Sequence, residues 1–183
     1  MAIQAIPNIA KRYCELIIST SDNGATYLKG LYGKNNVLIG KAFFVYFALK
    51  LFLAKIILME ECEDKAQSEV LCDAIEKYLS EIDIPVPNGK IVNFEYLLKA
   101  EKSIWAAYDR GGYAAVGRDV FNAVGANDYG IIPHESLTEP FPIAIKNDLK
   151  KEMYRATDVN SGMGCFSSIT VFSLTIITLM LLV

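Results

Sequence analysis

VLIGKAFFVYFALKLFLAKIILM, residues 37 to 59, is a stretch of 23 residues in which Lys41, Lys50 and Lys55 are the only charged side chains. An α-helix turns by about 100° per residue, which places Lys41 and Lys55 about 40° apart and Lys50 on the opposite side. The helix is therefore apolar all round and has no polar stripe. Such a helix is either the central helix of a bundle or a membrane span.

Transfer energies do not decide between these two positions. Lys50, near the centre of the stretch, costs about 2.5 to 3.5 kcal/mol on insertion, while each Leu, Ile, Phe or Val returns about 0.3 to 0.6 kcal/mol. Lys41 and Lys55 lie near the ends, where their side chains can reach the headgroups. We predict a core helix and keep constitutive spanning and conditional insertion as alternatives.

The rest of the chain predicts helices that pack around this one. The predicted segments are 7–20, 27–32, 64–82, 91–109, 113–124 and 143–157, separated by breaks at Ser21–Gly24, Gly33–Asn36, Asp83–Gly89, Gly111–Gly112 and Gly125–Pro142. In the segment 64–82 the apolar side is formed by Val70, Leu71, Ala74, Ile75, Tyr78, Leu79 and Ile82. The fold class is all-α, a compact helical bundle of about six or seven helices with a C-terminal transmembrane helix.

Length, charge and cysteine content limit the class of protein. About 160 residues remain once the apolar C-terminal segment is set aside, which suffices for one core. A net charge of −3 favours no nucleic-acid partner. The four cysteines have no zinc-binding spacing, and Cys62 and Cys72 are too far apart along a helix to pair directly. We interpret the thiols as reduced and the domain as cytosol-facing.

Residues 159 to 183 carry no charged side chain. The 19 residues from Cys165 to Val183 span about 28 Å as a helix, close to the apolar thickness of a bilayer. Because the N-terminus lacks the pattern of a signal peptide, the segment predicts a tail anchor. Two alternatives remain: a glycolipid-anchor signal starting at Asn160–Gly162, and a buried helix.

These patterns divide the chain into a helical domain (1–157), a juxtamembrane linker (158–164) and a transmembrane tail anchor (165–183). Four basic residues precede the linker: Lys146, Lys150, Lys151 and Arg155. They either favour anionic headgroups on the cytosolic side or are ordinary solvated charges of a helix. The sequence leaves both possibilities open.

Candidate chemistry is sparse. The single histidine, His134, lies in a loop beside Glu135 and Ser136, and adjacent loop residues do not make a triad. The segment Gly111–Arg118 is glycine-rich but follows a helix, so we interpret it as a helix–helix turn with close packing at Gly117. Cys165 is a candidate for palmitoylation. We predict no catalytic, cofactor-binding or metal-binding residue.

Two acidic residues beside this turn, Asp109 and Asp119, have arginine neighbours at Arg110 and Arg118. Local ion pairing explains this arrangement more simply than acid–base catalysis. An enzyme would need a site assembled from scattered residues.

The leading hypothesis is a single-pass membrane protein whose helical domain is a non-enzymatic interaction or adaptor module on the cytosolic face. Its partners are the lipid bilayer and a protein. The first alternative is a two-span or membrane-permeabilising protein that inserts residues 37–59. The second is a membrane-surface enzyme, whose activity would depend on His134 or Asp109. The sequence resembles no family closely enough to assign one.

Overall fold

The computed structural model describes residues 6–32, 36–84, 91–124 and 138–158. These residues form five α-helices and no β-strand: α1 (Ile6–Tyr32), α2 (Asn36–Glu61), α3 (Lys65–Glu81), α4 (Phe94–Ala123) and α5 (Pro140–Asp158). The all-α prediction is confirmed. The predicted count of six or seven helices is not reached in the described part of the chain, and the predicted segment 165–183 lies outside it.

Helix α1 runs without a break through Ser21–Gly24, so the predicted interruption there is wrong. The hydroxyls of Thr20 and Ser21 donate hydrogen bonds to the carbonyls of Leu16 and Ile17, at 2.7 and 2.6 Å. These bonds satisfy the hydroxyls within the helix, and Ser21 is fully buried. The cost of a mid-helix glycine, about 1 kcal/mol, is small beside the packing of α1 against α2 and α3.

Helix α2 is the central helix of the bundle and contacts each of the other four helices. Every residue from Phe47 to Leu58 is buried, on all sides of the helix. This all-round burial matches the absence of a polar stripe in the sequence. Gly40–Glu61 is the single described stretch that is long and apolar enough to cross a bilayer, and 83% of the 18-residue segment in it that meets this criterion is buried inside the protein. Because the core helix of a soluble protein meets the same criterion, this finding is weak evidence for a span.

Helices α3 and α4 begin at side-chain caps. Asp64 accepts a hydrogen bond from the Ala66 amide at 2.9 Å, and Asn93 accepts one from the Tyr96 amide at 3.2 Å. The predicted apolar side of α3 is confirmed at its buried residues Leu71, Ile75 and Leu79. Val70 is exposed, so its predicted place on that side is wrong.

Gly111 and Gly112 break α4 into two arms, as predicted. Gly112 has a φ of +61° and a ψ of −150°, a conformation that side chains with a Cβ rarely adopt. The break turns the second arm back onto the bundle, and the Arg110 guanidinium contacts the Asp119 carboxylate across it at 2.8 Å.

The second arm of α4 meets the start of α5 at Gly117. A Cβ on Gly117 would lie 1.8 Å from the carbonyl oxygen of Thr138, so the predicted close packing at this glycine is confirmed. Helix α5 begins at Pro140, three residues earlier than predicted. Proline suits the first turn of a helix because its missing N–H is not needed there.

Candidate functional site around the lysines of helix α2

The three lysines of α2 occupy different environments. Lys41 is exposed, whereas Lys50 and Lys55 are only 6% and 8% exposed. In the bundle, the side chain of Lys55 is enclosed by neighbouring helices, as that of a core helix would be. A buried ammonium is costly unless it is paired, so the partners of Lys50 and Lys55 are informative.

Lys55 is neutralised by two carboxylates from other helices. Its Nζ lies 2.6 Å from Glu101 Oε1 on α4 and 2.5 Å from Glu76 Oε1 on α3. Glu101 is 2% exposed and also accepts a hydrogen bond from the Trp105 indole at 3.1 Å. The ammonium of Lys55 therefore links α2 to both α3 and α4 at the same height in the bundle.

The electrostatics of this cluster keep Lys55 charged. Burial alone would lower the pKa of Lys55, but the hydrogen bond and charge of Glu101, followed by those of Glu76, raise it above its ordinary value. The aromatic ring of Phe52 packs edge-on against Trp105, with centroids 4.7 Å apart. The cluster is thus shielded by aromatic packing, and its geometry is that of a structural ion pair.

Lys50 has no comparable partner. Its ammonium lies 5.1 Å from the centroid of the Tyr46 ring and makes no hydrogen bond or ion pair with any residue that the structure describes. It lines a cleft of about 360 Å³ between α1, α2 and α5, together with Thr20, Asp148, Leu149 and Glu152. This is the one α2 lysine that is both buried and available to a ligand.

A third group of charges joins the end of α2 to α5; we call it the α2–α5 clasp. Glu60 pairs with Lys146 at 2.6 Å and Glu61 with Lys150 at 2.5 Å, and the Tyr154 hydroxyl donates to Glu61 at 2.6 Å. Lys146 and Lys150, two of the four basic residues that precede the linker, therefore form ion pairs within the domain. The other two, Lys151 and Arg155, are exposed, and among the described residues they pair with Asp148 and Glu152 of their own helix.

The clasp makes stability depend on pH. Burial alone would raise the pKa of Glu61, but hydrogen bonds from Lys150 and Tyr154 outweigh it and lower the pKa below its ordinary value. A lowered pKa of Glu61 stabilises the fold at pH values above the pKa that Glu61 has in the unfolded chain, and this stability is lost as the pH falls through the pKa of Glu61 in the folded protein.

We expect Glu61→Gln to lower the free energy of unfolding by about 1 to 2 kcal/mol at pH 7, and by less at about pH 3.5.

Urea unfolding of both proteins at the two pH values measures this difference. Glu63→Gln is the matched control, since Glu63 is exposed and lies two residues from Glu61. An equal loss of stability in the two variants would contradict the role assigned to the clasp.

The structure places only some of the residues singled out from the sequence. Arg110 pairs with Asp119 across the helix break and not with its sequence neighbour Asp109, so an ion pair forms at this turn but with a different partner from the one predicted. Asp109 is exposed on the first arm of α4. His134 and Cys165 lie outside the described residues. No candidate catalytic pair is brought together by the fold within the described part of the chain.

Three cysteines are described, Cys14, Cys62 and Cys72, and none of the three forms a disulfide. The expectation that Cys62 and Cys72 lie on one helix is wrong, because α2 ends at Glu61 and α3 begins at Lys65. The prediction that the two cysteines do not pair with each other is confirmed. Burial raises the pKa of Cys14 to about 12 and that of Cys72 to about 11. Thiols with such values are poor nucleophiles at neutral pH.

Comparison with known proteins finds no counterpart for this chain: no family model, curated protein or solved structure matches it. Across residues 6–32, 36–84, 91–124 and 138–158, no group of three or more His, Cys, Asp or Glu side chains is placed to hold a metal ion. Function must therefore be inferred from the geometry of the bundle itself.

Proposed function

We propose that residues 1–157 form a non-enzymatic helical interaction domain, carried on the cytosolic face of a membrane by the apolar segment 165–183. The observation that supports this proposal most strongly is the use of α2. Its apolar surface is covered by four other helices, and Lys55 finds its countercharge on α3 and α4. A domain with this core needs no lipid to bury α2, so segment 165–183 is the part of the chain left to contact the bilayer.

In this proposal the partners are a lipid bilayer and a protein, and the domain contributes a folded surface. The exposed cations Lys151 and Arg155 lie near the end of α5, closest in sequence to the proposed anchor. They are placed to favour anionic headgroups, by about 1 kcal/mol each near such a surface. Lys146 and Lys150 contribute less, because their side chains are only 15% and 33% exposed and are held against Glu60 and Glu61 of α2.

Limited proteolysis of the full chain in liposomes tests the topology. We expect one membrane-protected fragment, which contains residues 165–183, while the helical domain is digested from outside. Protection of the whole domain would contradict a cytosol-facing module. The variant Ile176→Lys with Leu179→Lys is the control, since each lysine costs about 2.5 to 3.5 kcal/mol near the centre of a span and is expected to release the protein from the liposomes.

A second candidate function is conditional insertion of α2. It is favoured by one observation, the length and apolar character of Gly40–Glu61, which spans about 33 Å and contains an 18-residue segment with a mean hydropathy of 2.1. Insertion would separate Lys55 from Glu101 and expose Lys50 to lipid. In the same liposomes, insertion of α2 predicts a second protected fragment that contains α2. It also predicts dye release that increases in Lys50→Leu but not in Lys41→Leu. Neither effect is expected for an interaction domain.

A further inference from the structure

The cleft at Lys50 combines a buried ammonium with two carboxylates that do not reach it. Asp148 and Glu152, one turn apart on α5, line the cleft with Lys50, yet neither forms an ion pair with it. Asp148 contacts Lys151 and Glu152 contacts Arg155, each at 3.3 Å on the exposed side of α5. The side chain of Asp148 is 79% exposed, so the negative charges lie towards the mouth of the cleft and Lys50 lies deeper.

A buried, uncompensated cation is unusual in a stable fold. Desolvation lowers the pKa of Lys50 to about 8, although the charges of Glu152 and Asp148 act in the opposite direction. The ring of Tyr46 lies 5.1 Å from the ammonium, and no described residue forms a hydrogen bond or ion pair with it. An anionic group bound at the ammonium would therefore replace a missing interaction.

The two carboxylates restrict the kind of anion that fits. A simple anion at Lys50 would be repelled by Asp148 and Glu152, and a simple cation at those carboxylates would be repelled by Lys50. A ligand with an anionic end and a cationic end satisfies both groups. The hydroxyl of Thr20, which donates to the Leu16 carbonyl, still has an oxygen that can accept from such a cation.

The remaining walls of the cleft are apolar. Ile145 and Leu149 of α5 and the ring of Tyr46 line it. Its volume of about 360 Å³ lies at the lower end of the range for small-molecule sites, about 300 to 1,000 Å³. These dimensions suit one small molecule with an apolar side chain.

From this arrangement we infer that the cleft binds a small zwitterion, an α-amino acid with an apolar side chain. Its carboxylate contacts Lys50 and its ammonium lies between Asp148 and Glu152. The site is independent of the proposed membrane role. It joins α1, α2 and α5, so an occupied cleft also ties the last described helix to the core.

Isothermal titration calorimetry of the full chain in nonionic detergent tests this inference with three matched probes. L-leucine carries both charges, 4-methylpentanoate lacks the ammonium, and L-leucinamide lacks the carboxylate. We expect L-leucine to bind and the other two to bind at least about tenfold more weakly. 4-Methylpentanoate is repelled by Asp148 and Glu152 and has no ammonium to offset that repulsion, and L-leucinamide leaves Lys50 without an anion. Absence of heat with L-leucine at about 10 mM overturns the inference, as does equal binding of all three probes.

Two sets of variants separate a binding role from a structural one. Lys50→Met keeps the apolar stem and is expected to weaken L-leucine binding by about tenfold or more, while the fold melts at the same or a higher temperature. Asp148→Asn with Glu152→Gln changes only groups at the mouth, and is expected to reverse the preference so that 4-methylpentanoate binds better than L-leucine. Unchanged L-leucine binding in Lys50→Met, or an unchanged preference in the double variant, overturns the assignment.

Discussion

Glu101→Ala is expected to lower the free energy of unfolding by about 3 to 5 kcal/mol. Glu101 is 2% exposed and lies 2.6 Å from the ammonium of Lys55, which is itself 8% exposed. Removing the carboxylate leaves Lys55 with Glu76 alone and leaves the Trp105 indole without its acceptor. A buried charge that loses its partner retains the cost of desolvation without the compensating attraction.

Urea unfolding of the full chain, followed by far-UV circular dichroism, measures this loss. Glu76→Ala is the matched control. Its side chain is 37% exposed and therefore screened by solvent, so we expect a change of about 1 kcal/mol or less. The double variant Lys55→Met with Glu101→Leu removes both charges and is expected to recover most of the stability, because apolar residues of similar volume often replace a buried ion pair well.

The comparison among these variants distinguishes the effect of an unpaired charge from the effect of lost packing. If Glu101→Ala and the double variant were equally unstable, the loss would come from packing and not from an unpaired Lys55. If Glu76→Ala were as damaging as Glu101→Ala, the exposed carboxylate would matter to Lys55 as much as the buried one. Either result would contradict the role of Glu101 as the main countercharge of Lys55.

Gly117→Ala is expected to lower the free energy of unfolding by about 3 kcal/mol, the upper part of the usual range for overpacking. The added Cβ would lie 1.8 Å from the Thr138 carbonyl oxygen and 2.7 Å from its carbonyl carbon. These are backbone atoms, so no side-chain rotation relieves the overlap. The second arm of α4 must then move away from the start of α5.

Gly111→Ala is the control for this substitution, since it makes the same chemical change in the same helix. Gly111 has a φ of −171°, which any residue adopts, and its added Cβ would meet only the Ala115 side chain, at 3.2 Å. We expect a change of about 1 kcal/mol or less, measured by thermal and urea unfolding. Similar losses in the two variants would mean that the close approach at Gly117 does not limit stability.

Several features of the fold could be predicted from local sequence. The periodicity of residues 64–82 predicted α3 to within a residue at each end, and the paired glycines predicted the break in α4. These signals are local, because side-chain spacing and glycine conformations act within one or two turns of chain. The predicted break at Ser21–Gly24 was wrong for the same reason. Local propensity favoured a turn, whereas hydroxyl hydrogen bonds and packing against α2 and α3 hold α1 helical.

The candidate site was much less accessible to sequence analysis. The sequence identified Lys50 and Lys55 as unusual, because a charge in an all-round apolar helix needs an explanation. It did not identify Glu101, 46 positions after Lys55, or Asp148 and Glu152, about 100 positions after Lys50. Nothing in the spacing of these residues predicts their contact, since it depends on how α4 and α5 fold back onto α2. The same is true of the clasp between Glu61 and Lys150.

The sequence by itself determined that the protein is helical and that residues 37–59 form a helix apolar on every side. Both follow from the identity and order of neighbouring side chains, which set the period of the pattern and the absence of a polar stripe. Only the tertiary structure decided what each charge in that helix does. Lys55 is paired by residues of α3 and α4, whereas Lys50 faces a cleft in which no described countercharge contacts it. Electrostatic energy depends on distances through space and on burial, and only packing of the five helices fixes either quantity.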